Sequence, residues 1–174
     1  VVELDGAPRV EPLVIRPGAR GVVRLPALYA ALEGPHGQRI RYESRDGMIH
    51  AGHWIRSPDS LQWSFEVPAA GVYRLSLDQA VPKGQGGSCF QVFVNGRQAP
   101  RLAPNGVPFS SGDGALVGEA TLSFTTRSTG GEFRQRVVGR VSLPAGANQI
   151  RLVLAKLARQ QSMDLRGATL RPER

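Results

Sequence analysis

The chain is poor in most of what staples a fold or performs chemistry. It has one cysteine, Cys89, three histidines, and only two lysines, Lys83 and Lys156. A single thiol excludes an internal disulfide framework, and without a second cysteine there is no metal knuckle. One free cysteine suits the cytosol and equally an exported protein whose core needs no bridge. No basic-then-apolar leader opens the chain and no apolar run is long enough to span a bilayer, so a mature or excised soluble piece is expected. Nucleic-acid binding would call for a basic stripe interleaved with aromatic rings. The basic residues are instead scattered (Arg9, Arg16, Arg20, Arg24, Arg39, Arg41, Arg45, Arg56), and aromatics make up 6%. No nucleic-acid partner is expected.

What remains is arginine and alternation. The 174 residues suffice for one domain, and carry a formal charge of +8 that is almost wholly arginine. A chain this long buries roughly 70% of the surface exposed by its unfolded form, so one apolar core can hold it. The positive field can steer acidic polymers towards it.

Along the chain, Leu61, Trp63, Phe65 and Val67 alternate with polar neighbours, and Tyr73, Leu75 and Leu77 continue the pattern after "PAAG". Such a period of two separates a buried from a wet face. Phe90, Val92 and Val94 share a face in "CFQVFVNGR", where Asn95-Gly96 is a hairpin turn. "ALVGEATLSFTT" reads as a strand, and Ile150, Leu152 and Leu154 face inward after "PAGAN". Ile40 and Tyr42 are expected on one face, and "ALYAAL" (Ala27 to Leu32) fits either a strand or one helical turn. Strands about 8–12 residues apart with no amphipathic helix between them predict an all-β antiparallel sandwich. Residues 1–26 read as extra N-terminal strands or the tail of a neighbouring domain, and 27–174 as the sandwich.

Reactive constellations are hard to find. His50 and His53 stand three apart in "HAGHW", but zinc wants further ligands and the other histidine is His36. "KGQGGS" lacks the lysine-serine ending of a phosphate-cradling loop. Cys89 alternates with core-facing neighbours and has no strand-turn-helix context. Asp46, Asp59, Asp113 and Glu119 sit in or beside loops, with no spacing that favours a hydrolytic pair. No catalytic residue is assigned.

Taken in order, "YESRDGMIHAGHW", "DSLQWSFEVPAAGVYRLSL", "SCFQVFVNGR", "STGGEF", "GRVSLPAGANQIRLVL" and "SMDLRGATL" resemble galactose-binding-like β-sandwich modules. They are similar to carbohydrate-binding module families six and thirty-five, and to the sandwiches appended to bacterial α-L-fucosidases and other secreted glycoside hydrolases. The resemblance runs from about Leu25 to Pro172. It is most specific at Trp63–Leu75 and Val141–Leu152, which are folding signatures more than ligand signatures.

The resemblance implies a non-catalytic carbohydrate-binding accessory module, secreted or periplasmic, with a catalytic domain in cis. It implies a jelly-roll topology and places sugar contacts at His53, Trp54, Glu132, Phe133 and Ser162, with Trp54 either stacking on a sugar or plugging the sandwich end. It also implies a structural calcium held by Glu43 and Asp164. Arg45 stands where a second acid would, putting a cation where a hard ion needs oxygen, so the calcium site is expected to be degraded. The other readings are a structural docking sandwich without sugar affinity and a small jelly-roll lyase or hydrolase. A face bearing Arg74, Arg140 and Arg151 would suit an acidic polysaccharide; an apolar one would mark a docking surface.

Overall fold

The computed structural model describes residues 13–34, 40–102 and 121–173. Within them the chain forms two antiparallel sheets laid face to face. Sheet I contains β2 (Ala31–Glu33), β5 (Ser60–Val67), β7 (Cys89–Val94), β8 (Arg97–Gln98), β9 (Ser123–Thr125) and β11 (Gly146–Lys156). Sheet II contains β1 (Val23–Pro26), β3 (Arg41–Arg45), β4 (Met48–Gly52), β6 (Gly71–Ala80), β10 (Arg134–Leu143) and β12 (Asp164–Pro172). The order in sheet I is β2-β5-β11-β7-β8, with β9 beside β7; in sheet II it is β10-β6-β12-β4-β3, with β1 beside β12. The all-β sandwich expected from the alternation is the fold observed.

The alternating residues make the core. Leu61, Trp63, Phe65, Leu75, Leu77, Phe90, Val92, Ile150, Leu152 and Leu154 are wholly enclosed, and Tyr73 is 2% exposed. Each such large apolar side chain contributes about 1.5–3 kcal/mol relative to exposure. Two of the polar ends inside the core find partners: Trp63 Nε1 donates to Pro26 O at 2.8 Å and Tyr73 Oη to Ala69 O at 2.8 Å.

The two tight proline-containing turns carry the chain from one layer to the other. β5 lies in sheet I and β6 in sheet II; β10 lies in sheet II and β11 in sheet I. Each turn is clamped by a side chain just beyond it, Tyr73 in the first and Asn148 in the second, where Nδ2 donates to Pro144 O and Gly146 O at 2.9 Å. Asn95-Gly96 does form a hairpin, joining β7 to β8, with φ of 50° and 79°.

Some local expectations shift. The stretch Ala27 to Leu32 is both things in turn, a 3-10 turn at Ala27–Tyr29 and then β2. Ile40 is buried, but Tyr42 is 42% exposed, because Ile40 precedes β3 and the alternation does not extend back to it. Val23 and Leu25, read as part of the N-terminal extension, are fully buried on β1, paired with β12. Of "ALVGEATLSFTT", β9 is described; His36, Asp113 and Glu119 lie outside the described residues.

Candidate functional site

The β3–β4 hairpin and the start of β12 bring together Glu43, His50 and Asp164, whose ligand atoms lie within 4.8 Å of one another. Gly52 makes this possible, since a Cβ there would stand 2.6 Å from Glu43 Oε2. The oxygens are already engaged. Arg41 Nε donates to Glu43 Oε1 at 2.7 Å, and this bond holds the Glu43 carboxyl below its usual range. Arg45 Nη2 donates to Asp164 Oδ2 at 2.9 Å, while Arg45 Nη1 takes the Gly131 carbonyl at 2.9 Å. Burial pushes the Asp164 carboxyl up, against the opposing pull of His50 and Arg45.

These residues do not fit a calcium ion. Calcium asks for six to eight oxygens. Here one of three converging groups is an imidazole, and a guanidinium bonds both the Asp164 carboxylate and the Gly131 carbonyl that could serve it. Arg45 supplies the positive charge itself, tying β3 to β12 and to the loop at Gly131.

The sugar contacts expected at this end of the sandwich are dispersed. Trp54 is 0% exposed and packs edge-on against Phe90, ring centres 5.1 Å apart, so it plugs the core and has no face for a sugar. Ser162 is likewise enclosed, its N–H bonding Trp54 O at 3.1 Å. Phe133 is half-buried, and two guanidiniums lie over its ring, Arg166 at 3.8 Å and Arg45 at 4.7 Å. His53, at φ 61°, is half-buried, and Glu132 is exposed. These last two remain open to a ligand.

Register across the sheets assembles two surfaces, of which the sequence anticipated only the grouping of Arg74 with Arg140. On sheet I, Ala31, Gln62, Arg151, Phe93 and Gln98 stand opposite one another on five successive strands. Arg151 lies over the Phe93 ring at 5.3 Å and within 3.6 Å of Glu33. Gln62, Phe93, Asn95, Gln149 and Arg151 line a depression of about 100 Å³. A wider one of about 430 Å³ adjoins it, sharing Asn95 and Gln149. Planar amides around a half-exposed aromatic ring offer donors and acceptors beside an apolar platform, which is what a sugar ring presents in complement.

On sheet II, Arg140 stands opposite Arg74, and Arg74 opposite Arg171. Glu173 accepts from the Nε of both Arg74, at 2.7 Å, and Arg140. Burial works against its ionisation, but the two guanidinium bonds prevail and hold the Glu173 carboxyl low. Arg171, Arg24 and Arg16 line a neighbouring depression of about 460 Å³. Arg151, grouped in the sequence reading with Arg74 and Arg140, is on the opposite face of the molecule because β11 belongs to sheet I.

No family model matches the chain, and no curated protein does. Solved structures do. A family 35 carbohydrate-binding module from Clostridium thermocellum superposes with a TM-score of 0.59 at 15% identity, covering 87% of this chain and 98% of that one. The GH26-CBM35 β-(1,4)-mannanase of Podospora anserina gives 0.56 at 18% identity, covering 89% of this chain. The chain spans only 28% of that enzyme's length. The insecticidal crystal protein Cry2Aa gives 0.59 at 13% identity over 87% of this chain and 21% of that one. The chain thus shares its fold with carbohydrate-binding sandwich modules.

Proposed function

We propose that the chain is a non-catalytic carbohydrate-binding accessory module, acting in cis with a glycoside hydrolase outside the cytoplasm. The observation that carries this reading is the in-register row Gln62–Arg151–Phe93–Gln98 on the outer face of sheet I, flanked by two depressions. The likeness in fold to family 35 modules, one of them joined to a mannanase, supports the class and the setting. Neighbouring strands lie about 4.8 Å apart, so a polymer laid across them meets a new side chain at every step. His53 and Glu132 would contribute at the sandwich end; Trp54 and Ser162 act from within, as packing. An acidic polysaccharide, the finer class that the arginine excess suggests, would meet the other sheet.

Native affinity gels containing neutral glucans, mannans and galactans test the reading. Retardation by at least one polymer is expected, and Phe93→Ala or Gln62→Ala should weaken it about tenfold, the loss of one good contact, at unchanged melting temperature. Wild-type protein that none of these polymers retards would sink the sheet I reading.

A further inference from the structure

We propose that the outer face of sheet II is a docking surface for an anionic polysaccharide, separate from the row on sheet I. The proposal rests on the carbohydrate-binding reading for the kind of polymer, and on the arginines for its charge. Arg140, Arg74 and Arg171 are consecutive cross-strand neighbours on strands about 4.8 Å apart, so one line across the sheet carries three arginines. Arg24 on β1 and Arg16 extend the positive charge around the 460 Å³ depression that Arg171 also lines. Against these five stand Glu173, shared between Arg74 and Arg140, and Glu66, 3.9 Å from Arg16. Arg24 and Arg171 have no carboxylate partner among the described residues and are exposed.

Glu173 is bonded through the Nε of each arginine, and a guanidinium has five donors in a planar fork. The terminal nitrogens of Arg74 and Arg140 are therefore left for a ligand, with the carboxylate fixing the angle of each fork. Paired guanidinium donors match the oxygens of a carboxylate or a sulfate. Arginines on three adjacent strands suit a polymer that repeats its charge better than one small anion. Val72, Ser76, Val137 and Thr169 share this face, and none of them supplies an aromatic ring. That argues against single-stranded nucleic acid, which relies on stacking platforms.

The test is biolayer interferometry of the whole chain against immobilised polygalacturonate, dextran sulfate, unmodified dextran and short duplex DNA over a range of salt. Binding to polygalacturonate or dextran sulfate is expected, with log affinity falling linearly as log salt rises. The double variant Arg24→Gln/Arg171→Gln should lose about tenfold at low salt and show a shallower slope. Arg56→Gln/Arg159→Gln, which removes the same charge from exposed loop positions, should lose less than about twofold if location matters more than net charge. Preference for polygalacturonate would identify carboxylate, and preference for dextran sulfate would identify sulfate; either supports the surface. Equal losses in both double variants, or equal binding of dextran with and without sulfate, would overturn it. So would tighter binding of duplex DNA through Arg24 and Arg171. A protein that is retarded by neutral glycans through Phe93 yet ignores both polyanions defeats this proposal alone. One that holds polyanions through Arg24 and Arg171 but no neutral glycan defeats the sheet I reading alone.

Discussion

The outer faces of the two sheets are built by one rule and filled with different chemistry. On each, cross-strand register lines up side chains from successive strands, and on each the inward neighbours are apolar and enclosed. Sheet I shows amides around a phenylalanine, with its one central guanidinium lying over that ring. Sheet II shows three guanidiniums, two of them bonded to one carboxylate. Folding constrains only the inner half of each strand. The outer half is free to vary, and it is there that two faces of one scaffold can serve two kinds of ligand.

That contrast holds only if stability and recognition are separable, and the strongest way to break it is from the inside. Trp54→Ala should cost about 3–5 kcal/mol, as large-to-small core substitutions do. Denaturant unfolding measures the loss; glycan affinity of the folded fraction should stay as in the wild type. Lost affinity with intact stability would return Trp54 to the sugar site and remove the division between core and face.

A smaller effect is expected where the layers' ends are tied. Arg45→Met should destabilise by about 1–2 kcal/mol at neutral pH, because it leaves the Asp164 carboxylate with less compensation. The burial that raises the Asp164 pKa makes its ionised form a liability in the folded state. Its contribution is thus favourable at low pH and is lost as pH rises through the folded value. The deficit of the variant should accordingly shrink on acidification, read as melting temperatures at neutral pH and near pH 4. Calcium should leave the wild-type melting temperature where it is, whereas Arg45→Glu, restoring an oxygen donor, should gain a calcium-dependent rise.

The smallest effect sharpens the contrast on sheet II itself. Glu173→Gln should change stability by about 0.5 kcal/mol, since its ion pairs sit at the surface. A carboxyl held low contributes above its unfolded pKa and loses that contribution as pH falls through the folded one. Wild type and variant should therefore converge in melting temperature at the acid end, and a gap that persists there would deny Glu173 its ionic role.

The core was legible because its signal is local. A period of two through Trp63, Phe65, Tyr73 and Leu75 announces which side chains turn inward, whatever the partner strand. Glu43 and Asp164 were legible only through the likeness to known modules, being far apart in sequence and joined by the fold. The row on sheet I was not, and of the row on sheet II only Arg74 and Arg140 were expected to share a face. Gln62, Phe93, Gln98 and Arg151 come from four strands, and their meeting depends on register that no single segment encodes. Arg151 was misgrouped for the same reason, since alternation tells which way a side chain points but not to which layer its strand belongs. Trp54 stayed open between sugar platform and plug because a lone aromatic in the β4–β5 loop has no periodicity to betray its burial.

The order of the strands has a consequence for how the molecule comes into being. β11 lies between β5 and β7 in sheet I, and β12 pairs with β6, β4 and β1 in sheet II. The last two strands of the sandwich are the keystones of both layers. Until they emerge from the ribosome, β5, β6 and β7 wait with naked edges, open to pairing with the wrong chain. A ribosome that stalls before β11 would release not a smaller sandwich but two halves of nothing.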